Sequence, residues 1–469
     1  MTQNFISCDR EQELLLPQSL SEWLPQGHLA WFVLDAVKEM DLAAFYAAYR
    51  EDGWGRPAYE PSMMVALLLY SYCKGERSAR RIEQRCHEDV AYRVICANRA
   101  PDHVTINRFR SGHEEALADL FGQLLTLCAR AEMVNVGTIA LDGTRMAASA
   151  SGEANLDFER IAKEILAEAG AVDAAEDEEF GERRGDELPP KLAPGPGRQA
   201  WLREAKRELD AERAARAEKV PRAREERLAK AHQRLVEDWQ SEHRAHRDYE
   251  AWRARGIAAD GSRRMAPGTA KPFEPPEAPT GRVNLTDPDS RPVKSARGFI
   301  QGYTAQAATT ADQIIVAADV ITGGNERQTL EPLVDQACEE LEGAGVSEQP
   351  AVALADAGYW NTDQIERLGS RGIRPLVSPD AAKRKEPSRI RGRPHYQRMR
   401  EQLATEEGRA LYRKRQQMVE PVFGHTKFNR RIDRFQRRGL AACRAEWRLI
   451  TATHNLLKLF QHGLAAVPA

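Results

Sequence analysis

Residues 351–368 read AVALADAGYWNTDQIERL. Five apolar residues run straight into Asp356, and a helical stretch, NTDQIERLGSRG, follows. A short apolar run bounded by a turn signal predicts a buried strand. A strand followed at once by a helix is the unit from which α/β sheets are built. The aspartate at the junction is the anomaly, because carboxylates are seldom buried without a partner. Either Asp356 caps the next turn, or it is held at the strand end for chemistry.

The same alternation extends in both directions. IRPLVSP follows as a further strand, and TLEPLVDQACEELEGA (329–344) precedes as an amphipathic helix. Upstream, QIIVAADV (313–320) and GFIQGYTAQAATT (298–310) predict strands, and VGTIAL predicts a first strand at 137–141 ending in Asp142-Gly143. Downstream, 404–424 predicts a helix up to Pro421, and 441–463 a last amphipathic helix. These elements make an α/β domain with a long interruption.

The interruption is of another composition. Residues 156–254 are rich in Ala, Glu and Arg with sparse apolar markers, which predicts a helical insert divided at Pro221. GTAKPFEPPEAPTG then has the composition of a linker. The first 135 residues predict helices: PSMMVALLLYSYCKG (61–75) opening at Pro61 and ending at Gly75, SARRIEQRCHED starting at a Ser cap, and a third helix capped by Thr105. The division that results is a helical N-terminal block at 1–135, the first part of the core at 136–154, a helical insertion and linker at 155–283, and the rest of the core at 284–469.

Hydrophobic residues at 42% and charged residues at 29% describe a soluble chain. The longest apolar run, MMVALLLY, is too short to cross a bilayer, and the N-terminus has no export signal. The 7 cysteines are scattered without a C-x-x-C pair, which speaks for reduced thiols and against zinc. The formal net charge of −2 conceals an asymmetry, for 381–450 carries 20 Lys and Arg against 7 Asp and Glu. Such a local field can neutralise phosphates; charge alone leaves a solvated helical surface as the other reading.

Three acids stand out. Asp142 and Asp356 each follow a predicted strand, at the sheet edge where α/β proteins carry their sites. Glu420 lies on a helix among basic residues. Clustered carboxylates are costly unless cations neutralise them, and hard divalent cations take oxygen ligands of this type. The bland readings are a simple Asp-Gly turn at Asp142 and a solvent ion pair of Glu420 with Arg413 or Lys427. Asp319 and Asp380 are rival aspartates at other strand ends.

At these residues the chain resembles a DDE transposase of a bacterial insertion sequence. ALDGTRMAA around Asp142, LADAGYWN around Asp356 and YRKRQQMVEPVFGHTK (412–427) carry the likeness. In the last, Tyr412, Arg415, Glu420 and Lys427 resemble the family's Tyr, Arg, Glu and Lys signature, with four residues rather than three between Arg415 and Glu420. DPDSRPVKSARGFIQGYTAQ (287–306) resembles the approach to the second core strand, and GRPAYEPSMMVALLLYSY and HVTINRFR resemble the helical domain that precedes the core. The likeness covers roughly 15–150 and 285–460.

The resemblance implies a ribonuclease-H-like mixed sheet with an N-terminal helical domain and a long helical insertion. It implies cleavage at the element's terminal inverted repeats and joining of the 3′ ends to target DNA. Asp142, Asp356 and Glu420 would be the metal-binding triad, for two Mg²⁺ ions with Mn²⁺ as a substitute. Arg415 and Lys427 would steady the DNA end. Further phosphate contacts are expected from Lys383, Arg384, Lys385, Arg389 and Arg391 in a basic loop, and from Arg430 and Arg431. Arg80, Arg81, Arg108 and Arg110 are expected at the DNA from the N-terminal helices. The likeness also implies a cytoplasmic, nucleoid-associated protein that pairs two ends as a homodimer, with no membrane partner. The competing expectation is a catalytically inactive DNA-binding protein derived from such an enzyme.

Overall fold

The computed structural model describes residues 19–49, 57–167, 222–255, 274–295, 298–380 and 394–466. Seven helices come first: α1 (Leu29–Lys38), α2 (Ala43–Tyr46), α3 (Pro61–Cys73), α4 (Ala79–Glu88), α5 (Val90–Ile95), α6 (His103–Gly112) and α7 (Glu114–Arg130). Helix α3 is apolar all round and is buried almost along its whole length, as such a helix must be. The predicted third helix is two, broken at His113. Its cap is Asp102, which accepts from the Thr105 amide at 2.6 Å, and Thr105 lies inside the first turn.

Strand β1 (Thr138–Ala147) runs on well past the apolar residues that announced it. Asp142 is therefore mid-strand and paired with Ala307, not at a strand end. The sequence marks only the first half as strand, because polar side chains occupy the second. Next comes β2 (Asn155–Asp157), then a helical stretch at 158–167 and α8 (Arg222–Arg255). The described part of α8 begins at Arg222, and the division expected at Pro221 lies outside the described residues. The pairing of β2 with β3 (Arg282–Asn284) closes the base of the insertion. A small separate core of Leu156, Ile161, Leu228, Ala231, Leu235 and Val283 holds α8 there.

The main sheet adds β4 (Arg291–Ser295), β5 (Gly298–Thr310), β6 (Ile315–Thr322), β7 (Val352–Ala355) and β8 (Arg374–Val377), with α9 (Leu330–Gly343) and α10 (Thr362–Ser370) between them. The order is β4-β5-β1-β7-β8, with β6 also on β5. Strands β1 and β6 run antiparallel to β5, and β7 and β8 run parallel to β1. The ends of β1, β6, β7 and β8 therefore share one edge. Strand β5 is buried from Gln301 to Thr310 on both faces, which is why its alternation in sequence is loose.

Three helices close the chain: α11 (Pro394–Ala404), α12 (Glu406–Gly424) and α13 (Leu440–Ala466). Pro421 does not end α12, which continues into a π-helical turn at His425–Asn429. A proline removes the hydrogen bond to the carbonyl four residues back. That carbonyl, of Gln417, accepts instead from the Gln313 side chain at 3.0 Å. At the other end, Asp287 and Asp289 accept from the Gly439 and Leu440 amides and cap α13.

The N-terminal helices are not a detached module. One apolar cluster runs from Val33, Leu68 and Leu120 through Met146 and Tyr303 to Val419 and Trp447. Gly75, with φ of +76°, lies so close to the Arg430 carbonyl that a Cβ would overlap its oxygen. No helix among the described residues is long and apolar enough to cross a membrane.

Candidate active site

Parallel pairing sets Ala140 opposite Leu354. Two residues further along each strand, the same register brings Asp142 beside Asp356, with adjacent strands about 5 Å apart. Asp356 caps the short turn Ala357–Tyr359, one oxygen accepting from the Gly358 amide at 2.8 Å, and its charge acts on Asp142. Asp142 accepts from the Gly143 amide at 2.8 Å and from Arg415 Nη1, also at 2.8 Å.

Helix α12 brings Arg415 over β1. Its Tyr412 hydroxyl donates to the Ala355 carbonyl at 3.3 Å, which ties the helix to the end of β7. Arg415 Nε is buried and has no partner. Lys427, on the π-helical turn, donates to the Arg145 carbonyl at 2.6 Å, and burial lowers its pKa. The chain beyond it pairs with the end of β1 through Ala147, Asp433 and Phe435.

Glu420 is exposed. It lies five residues from Arg415, which is about 140° round the helix, so the two side chains leave by different faces. The further carboxylate near the aspartates is Glu326, in the loop after β6, on which both of their charges act. It is 8% exposed and meets Arg145 at 3.2 Å. The sequence reading missed both Glu326 and Arg145. The available signal was position, since GGNERQT follows a strand as Asp356 does.

Two of the expected DNA contacts are corrected. Arg430 is 4% exposed and donates to the carbonyls of Tyr72 and Ile450 and to the Thr453 hydroxyl. Arg110 is 7% exposed and donates to the Arg77 carbonyl and the Asn107 side chain. Both tie elements together inside the protein, so neither side chain is available to a phosphate. Arg80, Arg81, Arg108 and Arg431 are exposed. Lys383, Arg384, Lys385, Arg389 and Arg391 lie outside the described residues. The rival Asp319 pairs with Arg444 at 2.7 Å, and Asp380 accepts from the Tyr396 hydroxyl at 2.7 Å.

Carboxylate oxygens suit a hard divalent cation in kind. Among the described residues no three His, Cys, Asp or Glu side chains already form a ligand cage; Arg415 and Arg145 hold two of the acids instead. Burial, with Asp356 beside it, raises the Asp142 pKa against the pull of Arg415. Burial, with Asp356 and Asp142, likewise raises that of Glu326. A carboxyl with a raised folded pKa gives its full stabilisation below the unfolded value, about 4. That stabilisation is lost as pH rises through the folded value. In metal-free buffer Asp142→Asn should therefore melt above the parent at neutral pH, and the gain should vanish near pH ~4. Thermal scans of both proteins across that range check it. A variant less stable than the parent throughout would show that the Arg415 pair outweighs the cost of burial.

Comparison with known families agrees with the residues. Residues 18–112 match the family described as Transposase domain (DUF772), which takes in α1 to α6. Residues 379–460 match the family described as Transposase DDE domain, which takes in Arg415, Glu420 and Lys427. No curated protein and no solved structure matches the chain. A transposase-domain match at each end, with an acid-bearing α/β sheet between them, supports a DDE transposase of an insertion sequence.

Proposed function

We propose that this transposase cuts phosphodiester bonds at the terminal repeats of its element and joins the 3′ ends to target DNA. The observation that carries the reading is the β1–β7 register, which sets Asp142 and Asp356 together at one sheet edge. The order β6-β5-β1-β7-β8, three antiparallel strands followed by two parallel ones, supports a ribonuclease-H-like core. Asp142 and Asp356, with Glu420 from α12, are the proposed metal-binding acids. Bound Mg²⁺, or Mn²⁺ in its place, supplies activation of water and of the 3′-hydroxyl and stabilises the leaving oxygen.

The chain's own residues bind and orient. Arg415 has a buried Nε–H left over for a phosphate oxygen, and Tyr412 fixes the helix that carries it. Arg80, Arg81 and Arg108 present charge from α4 and α6, and α6 is the N-terminal helix proposed to reach base edges. Cutting two ends in one complex calls for two copies of the core, so the working form is proposed to be a homodimer on paired ends. The test is incubation of the protein with DNA carrying the inverted repeats that flank its coding region, in Mg²⁺ or Mn²⁺. Nicked and joined strands are expected. Tight end binding with no strand cleaved in either metal would establish the inactive DNA-binding protein instead.

A further inference from the structure

Where the N-terminal helices meet α13, three guanidiniums gather around Tyr72. Arg77 is 5% exposed, and Arg110 and Arg430 are as deeply buried. Arg110 Nη1 donates to the Tyr72 hydroxyl at 3.5 Å, Arg430 Nη2 donates to the Tyr72 carbonyl at 2.8 Å, and the charge of Arg77 acts on the same side chain. The buried carboxylate among them is Glu446, which pairs with Arg77 at 2.7 Å. Arg110 and Arg430 direct their bonded N–H groups to neutral acceptors: carbonyls, hydroxyls and the Asn107 amide. Among the described residues, two of the three positive charges therefore have no carboxylate partner in a desolvated place, which is costly.

Donors are left over in the same place. Arg77 Nε and Arg110 Nε are buried without a partner. The Tyr72 hydroxyl accepts from Arg110, and among the described hydrogen bonds its own proton goes to no acceptor. Burial raises its pKa, so that proton stays available. Tyr72 and Arg110 line a cavity of about 20 Å³ with Glu114, Arg437 and Glu446. Both acids are already engaged, Glu114 by Arg437 at 2.7 Å and Glu446 by Arg77 and the Gln436 and Arg437 amides. The space takes one guest the size of a water molecule or a halide and is too small for a tetrahedral phosphate. A water molecule would satisfy the donors and leave the charge; a halide answers both.

We propose that this cavity is a binding site for a small monovalent anion, chloride in ordinary buffers. Arg110 and the Tyr72 hydroxyl hold the ion, which fastens α3 and α6 to α13. The site is separate from the acids of the sheet edge and does not depend on the chemistry proposed there.

Urea denaturation of the full chain without DNA, in sodium chloride and in sodium gluconate at equal ionic strength, tests this. An ion bound only by the folded protein raises the folding constant in proportion to its concentration once that exceeds Kd. The slope of log folding constant against log salt should therefore be steeper in chloride by about one, gluconate being too large for the cavity. In crystals grown with sodium bromide, anomalous scattering should place a bromide between Arg110 and Tyr72. Ala445→Val crowds the wall of the cavity and should remove the chloride-specific slope; if it fails to fold, the bromide position in the parent decides. Coincident chloride and gluconate series would overturn the proposal, and a bromide in the cavity alongside them would be an adventitious ion only. A chloride-specific slope that survives in Ala445→Val, or bromide found only elsewhere, would overturn it too, by placing the anion at another site.

Discussion

Asp142→Ala and Asp356→Ala are each expected to reduce strand cleavage and joining by roughly a thousandfold or more, with end binding within about threefold of the parent. The two effects separate because they use different parts of the protein. Affinity for DNA comes mainly from phosphate contacts spread over a basic surface. The aspartates contribute negative charge at the sheet edge, which repels phosphate unless a cation intervenes. Gel retention and strand cleavage, measured on the same DNA, read the two quantities independently. Asp319→Ala is the control, since that aspartate pairs with Arg444, and it should cleave. Glu420→Ala belongs in the same series, because its exposed place on α12 makes its loss the direct measure of its part in catalysis. Loss of DNA binding together with cleavage in the aspartate variants, with the fold intact by circular dichroism, would show that their role is misassigned.

Arg430→Met is expected to cost about 2–3 kcal/mol of stability and to leave the salt dependence of DNA binding unchanged. The guanidinium spans α3, the turn after α12 and α13, through Tyr72, Ile450 and Thr453. Burial is severe enough to bring its pKa down to about 10. Methionine fills much of the space but offers those oxygens nothing. Its neighbour Arg431 is exposed, and Arg431→Ala should do the reverse: little change in stability, and a slope of log affinity against log salt flatter by about one. Urea denaturation and binding titrations over a salt series measure both. An Arg430→Met protein as stable as the parent but weaker on DNA would return that side chain to the interface.

The contrast between these adjacent arginines shows where sequence reading stops. A count of 20 basic residues in 381–450 is correct as a count, yet it cannot say which of them face water. Arg430 and Arg110 read as DNA contacts because they are charged and stand among other charges. They are buried because the N-terminal helices share a core with α13, a contact between segments more than three hundred residues apart.

What the sequence by itself determined was local: the strands and helices between 298 and 377 are announced by their own apolar runs, and the acid after such a run stands at the strand end for Asp356 but in mid-strand for Asp142. The family likeness likewise rested on short contiguous stretches. The tertiary structure decided the rest. It extended β1 through Asp142 because β5 pairs with that whole length, and it let α12 pass Pro421 because Gln313 takes the freed carbonyl. It brought Glu326 against Gly143 and Gly358, near the two aspartates, although 184 and 30 residues of chain separate it from them. Hydrogen-bond partners and charge neighbours are set by distance through space, and the chain's order records that distance only within an element.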